Sequence, residues 1–251
     1  MPGELPSAPP PSRCLPTLTV LAPPPPAVRD LGHRPYLPVL ELMRELRRER
    51  KAGRIGDTLL LVEHDPVITV GVQGADGDVL PADLPVHQVE RGGKSTYHGP
   101  GQLVGYPIVD LLPRGKDVRR FVHQVEELVV RSLQPFGIEA SRVPGKRGVW
   151  VDGERKIASV GVAIEEWVSF HGFALNVSTD LRAFERFRPC GFEGRIMTSV
   201  ERETGRAVAL GEVTPFLVQA WSEIFGAEAN PAHLRAPAAA CPSAVPPTES
   251  A

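Results

Sequence analysis

V-W-V-D-G-E-R-K-I-A-S-V-G-V-A-I, from Val149 to Ile164, and F-H-G-F-A-L-N-V, from Phe170 to Val177, are the stretches that decide the fold. Val149-Trp150-Val151 runs into Asp152-Gly153, a favoured two-residue hairpin turn, and the chain returns as a strand holding Lys156, Ile157, Val160, Val162 and Ile164. Phe170–Val177 is predicted to pair onto the same sheet. There is no regular βαβ alternation and no internal repeat. The expectation is therefore an α+β fold, a mixed sheet packed with helices.

Working outward, Leu37–Lys51 places Val39, Met43 and Leu46 on one helical face, and Gly53 follows as a stop signal. The apolar runs Thr58–Val62 and Val67–Val70 read as buried strands, and Leu103–Leu111 and Ile138–Val143 as further strands. Asp117 can cap a helix whose Phe121, Val125, Leu128 and Val129 form a stripe ending near Gly137. Another helix is expected from about Thr214, burying Leu217, Ala220, Trp221 and Ile224. Residues 1–26 and 231–251 are Pro-rich or Pro/Ala-rich and are expected to be disordered extensions of one domain spanning 27–230.

The composition, 251 residues with 42% hydrophobic and 23% charged, provides material for one substantial core. A net charge of -2 lacks the basic excess of an electrostatic nucleic-acid binder. No run of about 18 apolar residues is long enough for a membrane span. The start M-P-G-E-L-P-S-A-P-P has no basic region followed by an apolar one, so a cytoplasmic location is expected. Cys14, Cys190 and Cys241 form no C-x-x-C pair, which disfavours a disulfide framework and a thiolate zinc site; no metal or cofactor is expected.

Arg91 to Gln102 read R-G-G-K-S-T-Y-H-G-P-G-Q. Glycines let backbone N–H groups approach a ligand, while Arg91, Thr96, Tyr97, His98 and Gln102 add donors and acceptors. The segment reads either as a ligand-binding wall or as a tight turn bounding a strand. It is not a phosphate-binding P-loop, because Gln88 stands where that motif needs a glycine. Lys156 has two readings as well: a charge guarding an edge strand, or a buried base. A regular strand would give it the same face as Ala158 and Val160. Cys190, between Pro189 and Gly191, lies on a turn that could present a thiol. His98 and His171 are alternative bases, and their spacing fits no helical zinc motif.

Four ordered segments together carry a resemblance: Arg91–Gln102, K-I-A-S-V-G from Lys156, H-G-F-A-L-N-V from His171, and P-C-G from Pro189 followed by M-T-S-V from Met197. From about Val28 to Phe225 the chain resembles the octanoyltransferases of lipoate biosynthesis, the lipoyl(octanoyl) transferase family. The resemblance implies a fold similar to the catalytic domain of biotin and lipoate protein ligases. It implies Cys190 as the acyl-carrying nucleophile and Lys156 as its partner. Arg91, Gly92, Gly93, Lys94, Ser95, Thr96, Tyr97 and His98 are implied as substrate-pocket residues, with Ser159, Val160, Gly161, Gly172, Phe173 and Ala174. Arg188 departs from the family pattern, which often has an uncharged residue there.

The implied partners are octanoyl-acyl carrier protein as donor and lipoyl domains as acceptors, with no nucleic acid and no membrane. A cysteine thiol titrates at about 8.5, and an adjacent ammonium lowers that value. Backbone N–H groups near Ser159–Gly161 are expected to hold the developing oxyanion. Arg114, Lys116, Arg119 and Arg120 are expected to form a patch for an acidic carrier protein. The competing readings are an ATP-dependent lipoate ligase on the same fold, and a binding module that has kept the pocket without the chemistry.

Overall fold

The structure, a computed structural model, describes residues 26–74, 80–186 and 194–226. Ten strands are assigned among them: β1 (Ala27–Arg34), β2 (Thr58–His64), β3 (Val67–Val70), β4 (Val86–Gln88), β5 (Ser95–His98), β6 (Gln102–Ile108), β7 (Ala140–Val143), β8 (Lys146–Val151), β9 (Arg155–Glu165) and β10 (Val168–Asn176). The helices are α1 (Tyr36–Lys51), α2 (Val118–Leu133), α3 (Val200–Thr204) and α4 (Leu210–Trp221). The larger sheet has the order β1-β2-β6-β10-β9-β8-β7. Its β1–β2 pair is parallel and its remaining pairs are antiparallel, among them β8–β9, the hairpin expected at Asp152-Gly153. The smaller sheet, β4-β3-β5, combines one parallel and one antiparallel pair.

Helices cover both faces of the large sheet, which explains why β2, β6 and β10 are buried along almost their whole length rather than on alternate residues. On one face Tyr36, Val39, Leu40, Met43 and Leu46 of α1 pack with Leu60, Val104, Ile108 and Phe170. On the other, Phe121, Val125, Leu128 and Val129 of α2 and Leu217 and Trp221 of α4 pack with Leu59, Leu61, Leu103, Ile157 and Leu175. The α2 stripe is the one read from the sequence. Asp117 caps α2 by accepting the Arg120 N–H at 2.9 Å, and Gly137, at φ 70°, closes the following turn.

A buried ionic knot ties the ends of several elements together. Asp57 accepts from Arg50 at the end of α1 and from Arg114 before α2, both at 2.8 Å. Arg114 also donates to the Phe225 carbonyl at 3.1 Å. Arg114 is therefore a structural ion-pair residue and does not belong to the surface patch expected for it.

Several boundaries differ from the sequence reading. The last helix starts at Leu210, four residues before Thr214, since Glu212 receives the Ala209 N–H at 2.9 Å and closes the first turn; Pro215 lies inside the helix. β6 ends at Ile108 and β7 starts at Ala140, so both strands are shorter than expected. β1 and β4 were not anticipated: β1 alternates only weakly and β4 is exposed, so neither has a periodic apolar signal.

Candidate active site

The glycine segment divides into a loop, a strand and a turn. In the loop, the buried Arg91 guanidinium reaches across to β3, donating through Nη2 to the Thr69 carbonyl at 2.7 Å and to Thr69 Oγ1 at 2.9 Å. The Gly92 N–H donates to the Val162 carbonyl of β9 at 2.9 Å, and the Gly71 N–H donates to the Lys94 carbonyl at 3.2 Å. The loop is thus clasped between the small sheet and the large one. Gly71 is required for this close approach, because a Cβ there would lie 2.4 Å from the Gly93 oxygen.

Ser95–His98 then forms β5, and strand alternation sorts the predicted residues into two sets. Thr96 and His98 line a cavity together with Arg91, Gly92, Gly93 and Lys94. Tyr97 points the other way, with its ring 5.5 Å from that of Phe184, and belongs to the cluster formed by Ile68, Val70 and Met197. Ser95 is fully buried and is not among the cavity-lining residues. The expectation that Ser95 and Tyr97 line the pocket is therefore corrected: the segment is a strand, and only one of its faces looks into the cavity.

The opposite wall comes from β9 and β10. Ser159 pairs with Ala174, Val160 with Phe173 and Gly161 with Gly172, so the two predicted wall segments are register partners. All six residues line the cavity. Gly172 must be glycine, since a Cβ would meet the Gly105 oxygen at 2.2 Å and Pro107 Cδ at 2.5 Å.

Lys156 lies on β9 between β8 and β10, not on a sheet edge, and is 4% exposed. The reading of Lys156 as an edge charge therefore falls. The regular alternation considered for this strand also fails. Val149 pairs with Ala158 but Trp150 pairs with Lys156, so β9 carries an extra residue here and the facing of its side chains is reset. Ile157 and Ala158, neighbours in sequence, both join the core under α2, while Lys156 lines the cavity. Its ammonium lies 5.5 Å from the centre of the Trp150 ring. Gly148 makes room for the stem, because a Cβ there would be 2.8 Å from Lys156 Cε.

The cavity has a volume of about 280 Å³. Gln73, Tyr106, His171 and the Gly145–Arg147 turn complete its lining. Burial lowers His98 to a pKa of about 3 and His171 to about 4, so both imidazoles are neutral at neutral pH. His171 holds Glu90 through Nε2 at 3.3 Å and has a left-handed φ of 55°, an uncommon conformation for histidine. Burial also raises Tyr106 well above its ordinary value, so the phenol stays protonated.

A hydrogen-bond chain runs beneath the cavity. The Thr198 carbonyl can only accept, so Asn176 Nδ2 donates to it at 3.0 Å, and Gln102 Nε2 donates to Asn176 Oδ1 at 3.0 Å. Gln102 Oε1 then accepts from His98, which fixes the proton of that ring on Nδ1 across a 2.8 Å bond. The chain ends where the Thr198 N–H donates to the Lys156 carbonyl at 3.0 Å. Two separated predicted segments, the one with His98 and the one with Lys156, are thereby held in one frame.

The lipoyl protein ligase A/B catalytic domain family matches residues 35–222, a span that takes in every part of this cavity. The chain belongs to that family. Among curated relatives, the octanoyltransferase of Geotalea uraniireducens is 46% identical over 184 residues, covering 73% of this chain and 86% of the relative. The octanoyltransferase of Rubrobacter xylanophilus is 46% identical over 204 residues, covering 78% and 91%. Among solved structures, lipoate-protein ligase A bound with ATP superposes with a TM-score of 0.63 at 21% identity, covering 79% of this chain and 85% of that one. A bi-partite lipoate protein ligase from Thermoplasma acidophilum gives a TM-score of 0.61 at 20% identity, covering 80% and 83%. These structural matches establish a lipoate-ligase-like α+β fold, as the sequence implied.

Within this family fold, Lys156 and the expected wall residues, Ser95 and Tyr97 excepted, meet in one cavity. Cys190 and its neighbours Arg188, Pro189 and Gly191 lie outside the described residues, as do Cys14 and Cys241. The sequence reading missed Gln73, Tyr106 and the turn Gly145-Lys146-Arg147. The G-K-R-G run at 145–148 carried a signal, glycines bracketing two cations just before a buried strand. Tyr106 carried none, because it sits in an unbroken apolar run. Among the described residues, no helix is long and apolar enough to cross a membrane, and no group of His, Cys, Asp or Glu is arranged to hold a metal.

Proposed function

We propose that this protein is an acyltransferase of lipoate biosynthesis, moving an octanoyl group from octanoyl-acyl carrier protein to the acceptor lysine of a lipoyl domain. Lipoyl-acyl carrier protein is an alternative donor, and the reaction belongs in the cytoplasm. The observation that carries the reading is the buried Lys156, held in a cavity walled by the R-G-G-K loop and the Ser159–Gly161/Gly172–Ala174 pair. The relatives bearing the name octanoyltransferase support it at 46% identity.

In this reaction the Cys190 thiolate adds to the thioester carbonyl of the donor, the carbon–sulfur bond to pantetheine breaks, and the Lys156 ammonium gives its proton to the departing thiolate. The acceptor amine then attacks the acyl-Cys190 thioester. Its proton passes to the now neutral Lys156, the amide forms, and the Cys190 thiolate is released, which restores the starting charge state. Both intermediates carry an oxyanion, and the main-chain N–H groups of Ser159–Gly161 are the proposed donors to it. Val162 directs its carbonyl to Gly92, away from β10, and alternation gives Val160 the same direction, which favours the Val160 N–H. Since the acyl-enzyme is itself a thioester, no ATP is needed.

The test is incubation with octanoyl-acyl carrier protein followed by intact-mass measurement. An octanoyl adduct that disappears in Cys190→Ala is expected, with turnover lost in that variant and lowered on the order of 10²–10⁴-fold in Lys156→Ala. Retained transfer by Cys190→Ala, or transfer that depends on ATP, would reject the covalent mechanism in favour of a ligase.

A further inference from the structure

The Gly145–Arg147 turn borders two neighbouring hollows. Gly145, Lys146 and Arg147 also line an open groove of about 810 Å³ between this turn and the first turns of α2. Apolar surface runs along the groove: Val122 and Val143 are half-buried, and Val118 is 41% exposed. Cations surround that surface. Arg119, Arg142, Lys146 and Arg147 line it, against a single acid, Glu126, which is 5% exposed and accepts the Gly148 N–H at 3.1 Å. Arg119 and Arg147 form no ion pair with a described residue. Next to the groove on α2, Arg120 and Arg142 share a patch with Asp117 and Glu127, and Arg142 pairs with Glu127 at 3.6 Å, so Arg119, Lys146 and Arg147 carry most of the groove's net positive charge. This concentration of positive charge stands out in a chain whose net charge is -2.

We infer that this groove seats the phosphodiester-linked pantetheine arm of the acyl donor and leads its thioester into the cavity. The inference rests on the octanoyl-thioester reading given above. An occupant complementary to this surface carries negative charge for the cations and uncharged, partly apolar stretches for Val118, Val122 and Val143. A pantetheine arm has this pattern, with amides and methylenes between the thioester and a phosphodiester. The acceptor does not have it: a lipoyl domain presents a lysine, whose ammonium a cationic groove repels. The groove also redefines the basic patch read from the sequence. Arg119 stays in it, Arg114 leaves it for Asp57, and Arg142, Lys146 and Arg147 enter it.

The test compares three donors with the wild-type enzyme and with Arg119→Glu and Arg142→Glu: octanoyl-acyl carrier protein, octanoyl-phosphopantetheine, and octanoyl-N-acetylcysteamine, which has no phosphate. Expected is a fall on the order of 10-fold or more in kcat/KM for each phosphate-bearing donor relative to the phosphate-free one, expressed mainly in KM. In the wild type, the same ratio should fall as salt rises, and more shallowly in the variants. This salt measurement stands even if a variant folds poorly. A ratio unchanged by substitution and by salt overturns the inference. So does a loss confined to the whole carrier protein, which would assign the surface to the carrier's body, or a loss in KM for the lipoyl domain, which would assign it to the acceptor. Absence of transfer by the wild type from all three donors would instead refute the acyltransferase reading itself.

Discussion

Replacing Gly161 by alanine would put a methyl group 2.8 Å from the Gly92 carbonyl oxygen, with Arg91 Cδ 3.4 Å away. Neither β9, paired with β10 at this point, nor the Gly92 backbone is the free end of a flexible side chain. Ordinary contact is restored only if the Gly92 carbonyl retreats by roughly half an ångström. That movement stretches the 2.9 Å bond from the Gly92 N–H to the Val162 carbonyl toward the limit of useful geometry. Overpacking of this kind costs about 1–3 kcal/mol. For a domain of this size the loss corresponds to a fall in Tm of roughly 2–12 °C. Activity should suffer more than stability, because the displaced loop is a wall of the cavity. A misplacement approaching 1 Å costs on the order of 10²-fold, so a loss of about 10- to 100-fold in kcat/KM is expected well below Tm. Calorimetry and mass-resolved octanoylation of a lipoyl domain measure the two effects separately. Gly92→Ala is the control: its methyl would meet the movable Arg147 guanidinium at 3.2 Å, and its Tm should stay within about 2 °C of wild type. A Gly161→Ala protein with wild-type Tm would refute the packing argument, and one with reduced Tm but wild-type kcat/KM would remove the loop from the site.

Asp57→Ala leaves the buried Arg50 and Arg114 guanidiniums without their shared carboxylate and should cost about 3–5 kcal/mol in urea denaturation; a cost under about 1 kcal/mol would show the knot to be dispensable. His64, His98 and His171 have pKa values lowered by burial to about 4, 3 and 4 from 6.5, so below pH 6.5 the unfolded chain takes up protons that the fold refuses. Their contribution is complete above pH 6.5 and is lost as pH falls toward 4, with a slope of up to about 1.4 kcal/mol per pH unit for each ring. Stability that does not decline between pH 7 and pH 5, or a His64→Gln variant with an undiminished slope, would contradict this assignment.

The sheet and its main helices were legible because their signals are local. The Asp152-Gly153 turn sets the β8–β9 hairpin, and the α2 stripe fixes which side of that helix is buried. The composition of the cavity was legible only as far as segments, not side chains. Ser95 and Tyr97 stand in the same polar run as Thr96 and His98, and nothing in the run marks where a strand begins; pairing with β3 decides it. The bulge at Lys156 is likewise invisible, since it arises from the mismatch of two strands rather than from the residues of one. Burial of Lys156 was open in the sequence for the same reason: whether β9 is an edge depends on β8, and on Gly148 leaving space for the lysine stem.

These placements produce a cavity with an unusual electrostatic balance. Arg91, Lys94, Lys146, Arg147 and Lys156 line it, and no Asp or Glu is among its lining residues. His98 and His171, kept neutral by burial, add no charge of their own at working pH. Arg91 is committed to Thr69, so its charge is fixed in place and needs no rearrangement to act. Every charged species of the proposed reaction that forms at the acyl carbon is an anion: the attacking thiolate, both oxyanions and the departing pantetheine thiolate. A fixed positive field favours each of them. The same field opposes an ammonium, so the acceptor lysine is driven toward its neutral, nucleophilic form as it enters. One distribution of charge thus serves both half-reactions of the proposed mechanism, in which Lys156 is the proposed carrier of the proton between them.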